Sequence, residues 1–196
     1  MENHRRDVIQ FAACVAILLV SFSCKKNESS PTGTDQALPS EGQWLKYWSG
    51  PQPMRLNLGV KFYAVRFSKP AGWAAVRIDS MQIVSASGGA TLKLSFWGTS
   101  TTQGGTYWPS DPPAQSASKT IAQGLNSWSV TDQQWKTSSS EFFIGFEQGS
   151  VTTLCSDGQA KPEVRSYRCY AGSSWEKESG MFSNYCIAAF VSRTSN

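Results

Sequence analysis

The only histidine in the 196 residues is His4, and it falls in a segment that reads as an export signal. The mature chain therefore carries no imidazole. Serine–histidine–aspartate and cysteine–histidine triads, histidine general bases and imidazole zinc ligands are excluded on that reading. Ser116-Ala117-Ser118-Lys119 has the S-x-x-K spacing of penicillin-recognising enzymes. That chemistry needs the serine to open a helix and needs SDN and KTG partner motifs. Here Pro112–Pro113 and a strand-like KTIA flank it, and neither partner motif occurs. Glu176 and Glu178 share one face if their segment is a strand, roughly 7 Å apart, which admits a glycosidase pair. Lys177 between them and the surrounding turn residues favour a solvated face instead. Asp157-Gly158 has no neighbouring acids to complete a calcium loop and reads as a turn. No cofactor is implied.

Two residue classes remain. Cys24, Cys155, Cys169 and Cys186 survive removal of the signal. In an oxidising compartment two of the last three are expected to pair. Of the three connectivities, Cys169–Cys186 is preferred because both cysteines sit in strand-like segments of the C-terminal part, which leaves Cys155 as a buried thiol. No close Cys-x-x-Cys spacing supports a metal site. The aromatic residues Trp97, Tyr107 and Trp108 bracket WGTSTTQGGTYWPSDPPAQ, a loop-like stretch rich in Gly, Thr and Pro. Exposed rings of this kind stack on sugar faces or fill partner pockets. The plainer reading has Trp108 packing back over the body as a plug. These three are the candidate ligand-binding residues. Trp44, Trp48, Trp73, Trp128, Trp135 and Trp175 are read as packing residues.

Residues 1–23 read as a lipoprotein signal peptide. Arg5 and Arg6 precede a largely apolar run of 15 residues from Val8 to Phe22, broken by Gln10 and, near its end, by Ser21. That is shorter than the roughly 20 residues a spanning helix needs. Small Ser23 before Cys24 resembles a bacterial lipobox, with Cys24 as the lipidated residue. Several acyl chains make a stable anchor, at about 0.8 kcal/mol per buried methylene. Ordinary secretory cleavage, with Ser21 and Ser23 as the small residues, and an uncleaved anchor helix are the alternatives. Lys25–Lys26, with no Asp directly after Cys24, favours the outer membrane. Residues 24–42 hold no aromatic residue and are punctuated by Pro31, Gly33, Pro39 and Gly42. They read as a flexible tether with a reach of roughly 23 Å.

All eight tryptophans lie from Trp44 onward, which places the folded domain at 43–196. Sixteen Gly and nine Pro argue against a helical bundle. Short stretches alternate apolar and polar residues, as strands do. Tyr63, Val65 and Phe67 share a face; so do Leu92, Leu94 and Phe96, with Trp97 turned outward; so do Phe142, Ile144 and Phe146. In VRIDSMQIV the inward set shifts phase from Val76 and Ile78 to Met81 and Ile83, which a β-bulge near Asp79–Ser80 would absorb. Turn signals fall at 70–72, 88–89, 104–113, 156–162 and 171–173. An all-β, antiparallel β-sandwich is expected. The net charge of +4 is spread thinly, without the basic stripe that nucleic acid demands.

Four stretches, KFYAVRFSKPAGW, EFFIGFEQ, RSYRCYAGSSWE and NYCIAAFV, resemble in order and spacing a β-sandwich module of secreted bacterial proteins that is often appended to peptidases or export-system cargo. The likeness runs over about 43–191. WLKYWSG echoes the module's opening Tyr-Asp-Asp-Gly, with Trp48 and Ser49 in place of both acids. The resemblance implies a jelly-roll-like fold and an accessory, non-catalytic role; it assigns no ligand. Two roles follow as expectations. One is a lipid-anchored envelope protein that binds a glycan or surface polymer. The other is a protein-interaction or assembly subunit with an envelope protein as partner.

Overall fold

A computed structural model describes residues 41–194 apart from 57–58, 110–111, 151–152, 160–162, 173 and 180–183. The expected signal peptide, Cys24 and nearly all of the tether lie outside the described residues. Fifteen strands and one short 3-10 turn account for the regular structure there.

The strands form two sheets and a ribbon, and every strand pairing described is antiparallel. The first sheet runs in the order β1 (Gly42–Lys46), β15 (Ile187–Thr194), β4 (Ala75–Ser85), β12 (Thr153–Asp157) and β2 (Pro51–Arg55). β9 (Gly124–Ser129) and β10 (Lys136–Thr137) also pair with β4. The second sheet runs β14 (Trp175–Lys177), β13 (Ser166–Tyr170), β3 (Val60–Ser68), β11 (Glu141–Glu147), β5 (Thr91–Trp97) and β8 (Ala114–Thr120). β6 (Ser100–Gln103) and β7 (Thr106–Pro109) form the separate ribbon. The molecule is an antiparallel β-sandwich.

The alternating residues build the core between the sheets. Tyr63, Val65 and Phe67 meet Phe142, Ile144, Phe146, Leu92, Leu94 and Phe96 from the second sheet, and Val76, Ile78, Met81, Ile83, Ile187, Ala189 and Val191 from the first. Each large apolar side chain removed from water in this way contributes about 1.5–3 kcal/mol. Tyr63 stacks on Phe146 at 5.4 Å and Phe67 on Phe142 at 5.8 Å. The phase shift in β4 is a bulge. Val191 pairs with Ile78 and Phe190 with Ser80, so Asp79 is the extra residue. Its carboxylate is 2% exposed and meets the Arg77 guanidinium at 2.6 Å.

Gly145 marks where the second sheet is closest packed. A Cβ there would lie 1.8 Å from the Tyr63 carbonyl oxygen, so no other residue fits. Several strands carry no legible alternation. β2 contains Pro51 and Pro53, which lack N–H groups; it sits at the sheet edge, paired only with β12, where prolines are tolerated. The stretches at 104–113 and 156–162 had read as gaps. The first contributes all of β7, and Ser156 and Asp157 belong to β12.

Candidate functional site

The outer face of the second sheet is aromatic. Register places Phe62, Ala64 and Arg66 of β3 beside Cys169 and Tyr167 of β13, and Arg66 beside Phe143 of β11, which in turn faces Trp97 of β5. Trp175 of β14 pairs with Cys169. Over this face folds the β6–β7 ribbon. Its two connecting residues, Gly104 and Gly105, both have positive φ (57° and 75°), a turn that suits a tight hairpin and that glycine adopts without strain. Ser100 Oγ donates to the Glu141 carbonyl at 3.3 Å, tying the foot of the ribbon to β11.

Trp97 does turn away from the core, but it is only 1% exposed. Trp175 lies edge-on to it at 5.1 Å and Phe62 at 5.6 Å, and the ribbon rings pack on the same cluster. Its expected exposure is therefore corrected: alternation assigns a face and is silent about what later covers it. Trp97 can touch no ligand in this arrangement. Tyr107 and Trp108 are half-buried. The Arg66 guanidinium lies 5.1 Å from the Tyr107 ring centre, and Trp108 meets Tyr167 edge to face at 5.5 Å. Trp108 thus packs down on the sheet. Among the described residues its buried Nε1–H finds no acceptor, and the buried Tyr167 hydroxyl finds no partner. Burial pushes the Tyr167 phenol above its ordinary pKa, against the pull of Arg66 and Arg165.

Beside the ribbon, charges are matched in pairs. Arg66 contacts Glu141 at 3.4 Å and Glu163; Arg165 contacts Glu163 at 2.6 Å and donates to Ser68 Oγ at 3.0 Å; Ser68 Oγ donates to Glu141 Oε1 at 2.7 Å. Buried charges persist when paired and bonded in this way. Sequence reading missed this network, because its members come from three separate stretches. Arg168 likewise holds both Glu176 and Glu178, each at 3.2 Å, so these two carboxylates share one guanidinium. The Asp157 carboxylate accepts from the Ser49 N–H at 3.0 Å, the Gly50 N–H at 3.3 Å and the Gln159 N–H at 3.0 Å. It anchors the turn where the two acids of the resembled module are replaced. Ser116 lies on strand β8, not at a helix start.

At the end of the sandwich, next to the root of the ribbon, a groove of about 590 Å³ is lined by Ala75, Gly98, Thr99, Lys136, Thr137, Ser138, Ser139 and Thr194. Five hydroxyl-bearing residues and Lys136 line it together with Ala75 and Gly98, and among the described residues no carboxylate lines it. Thr137 Oγ1 donates to the Gly98 carbonyl and accepts from the Ser139 N–H, which fixes the groove floor. The exposed Lys136 makes no ion pair with the described residues. The run Lys136-Thr137-Ser138-Ser139-Ser140 was the available signal, but hydroxyl-rich runs also mark ordinary turns.

The expected Cys169–Cys186 pair is corrected. Cys169 lies on the second sheet, its Sγ 3.4 Å from the Tyr170 carbonyl, and burial raises its thiol pKa against the pull of Lys61. Cys186 is buried on the first sheet with Val84 and Cys155. The two stretches look like neighbours in sequence, but Cys169 lies beside Phe62 on the outer face of the second sheet and Cys186 packs with Val84 on the outer face of the first, so the sandwich core separates them.

No protein-family model and no curated protein sequence matches the chain. Solved structures do match in fold. One is the clostridial cysteine protease Cwp84 after propeptide cleavage, with TM-score 0.60 and 15% identity, covering 80% of this chain and 41% of that one. Another holds the cysteine protease and lectin-like domains of Cwp84, a surface layer associated protein of Clostridium difficile. It has TM-score 0.54 and 15% identity, covering 74% of this chain and 37% of that one. The chain thus spans about two fifths of the length of the structures it matches.

Proposed function

We propose that this chain is a non-catalytic binding module of a bacterial cell envelope or surface, and that its ligand is a glycan or a comparable hydroxyl-rich polymer. The groove at the root of the ribbon carries this reading. Its volume of about 590 Å³ suits a few sugar units. Its hydroxyls and the Lys136 side chain can exchange hydrogen bonds with sugar hydroxyls, and the apolar part of its lining can take the C–H face of a sugar ring. The fold likeness supports the reading. An all-β chain of this size superposes on part of a molecule described as having a lectin-like domain, and we take that domain as the matched part. An anchor through lipidated Cys24 belongs to the same proposal. It predicts an acylated N-terminal cysteine by mass spectrometry; an unmodified N-terminus would remove it.

The decisive experiment applies the protein to a glycan array and measures hits by titration calorimetry. Binding is expected, weakened at least about tenfold by Lys136→Ala combined with Ser139→Ala, roughly the loss of one charge-assisted hydrogen bond. Silence across the array would end the reading. A second reading, a protein-interaction or assembly subunit, is favoured by Trp44 and Leu125, which are 37% and 52% exposed. Crosslinking in envelope extracts would capture a single partner through Trp44 if that reading holds.

A further inference from the structure

We propose that Cys155 and Cys186 are joined by a disulfide in the exported protein. The bridge between Ser156 and Tyr185 sets the register, so Cys155 stands directly opposite Cys186 across an antiparallel pair. The Cys186 N–H donates to the Cys155 carbonyl at 2.9 Å, and the Asp157 N–H to the Asn184 carbonyl at 2.7 Å, which continues the same ladder. Opposed residues of a hydrogen-bonded antiparallel pair have Cα atoms about 5.5 Å apart, inside the roughly 4.4–6.8 Å that disulfides span. The side chains also point the same way. Both are 1% exposed and pack in one cluster with Val84, covered by Trp48. Trp48 is itself fixed, donating from Nε1 to the Ile187 carbonyl at 3.2 Å and carrying the Lys46 ammonium 3.8 Å above its ring. The third cysteine of the body, Cys169, belongs to the other sheet.

The chemistry balances with a disulfide-bearing thiol oxidant of the envelope. One cysteine forms a mixed disulfide with it. The thiolate of the other then attacks the protein sulfur of that mixed disulfide, and the oxidant leaves as its dithiol, having taken two electrons and the two protons that the cysteine thiols gave up. Both sulfurs lie beneath Trp48, so the exchange takes place during folding, before the indole closes, and the finished bond is shielded from reductant. The bond closes the loop 155–186, which contains β13 and β14 and hence Tyr167, Cys169 and Trp175 of the aromatic face. It would tie that face covalently to the first sheet. This inference rests on the proposed export of the chain and not on the identity of any ligand.

The test uses the full chain exported by a bacterial host and recovered from its envelope fraction. It is alkylated under denaturing conditions without reductant, digested and analysed by mass spectrometry. A peptide linking Cys155 to Cys186 is expected, with Cys169 alkylated. Protein reduced while denatured and refolded in reductant should melt roughly 10 °C lower, as loss of a link closing about 30 residues implies. The double variant Cys155→Ala/Cys186→Ala should melt with the reduced protein and no longer respond to reductant. Cys169→Ala should keep both the link and the response. Alkylation of both Cys155 and Cys186, or a linked peptide containing Cys169, would overturn the proposal.

Discussion

Trp97 and Trp44 both point away from the sandwich core, one from each sheet, and they end in opposite states. Trp97 is 1% exposed beneath the β6–β7 ribbon, enclosed by Trp175, Phe62 and the ribbon's own rings. Trp44 is 37% exposed on edge strand β1, touching Phe190 edge-on at 5.5 Å, with Ser80, half-buried Gln82 and exposed Ser129 farther along the face. The covered face has become a second small core; the other keeps polar and small residues between its aromatics. An outward position on a strand is thus a choice between packing surface and binding surface, and a short hairpin elsewhere in the chain makes that choice.

Truncating each tryptophan is the strongest way to test the contrast. Trp97→Ala should cost about 3–5 kcal/mol, as expected for a buried ring, and Trp44→Ala less than about 1 kcal/mol, both read from urea unfolding midpoints. Equal losses would mean that the two faces are packed alike.

Alkaline titration next compares Tyr167 of the covered face with Tyr185 of the central core. The Tyr185 phenol is held well above its ordinary pKa, first by burial and then by the neighbouring Glu178, to which its hydroxyl donates; Tyr167 is raised by burial. A raised phenol binds its proton more tightly in the folded state. The stability it contributes is complete below the unfolded value of about 10 and is lost as pH rises through the folded one. The melting temperature should therefore fall steeply above about pH 10, and less steeply in Tyr185→Phe. A flat profile to pH 12 would contradict this.

The smallest effect is expected at Trp108. Trp108→Phe keeps an aromatic ring against Tyr167 and removes an indole N–H that has no acceptor among the described residues. Losing an unmet donor offsets part of the lost ring contact, so stability should change by no more than about 0.5 kcal/mol. A loss above about 2 kcal/mol would show that the N–H has a strong partner in solution.

The inward sets of β3, β4, β5 and β11 were legible as alternation, and the Asp79 bulge as a slip in the phase of β4. The edge strand β2 was hidden by its prolines, and β7 by the Gly and Pro around it. The candidate site was read only in part. Tyr107 and Trp108 lie on one ribbon, as their closeness in the chain requires, but the groove beside its root draws lining from β4, β10, β15 and the segment after β5. Four separate stretches meeting at one end of a sandwich leave no local pattern.

Residue order along each strand dictates which side chains face the core, because successive side chains of an extended chain point to opposite faces whatever lies around them. Whether an outward ring stays wet, which cysteine faces which, and where hydroxyls gather into a groove depend on strand order across the sheets and on the path of the ribbon. Those are contacts between residues far apart in the chain, settled by the joint burial of apolar surface from both sheets, and no spacing within one stretch encodes them.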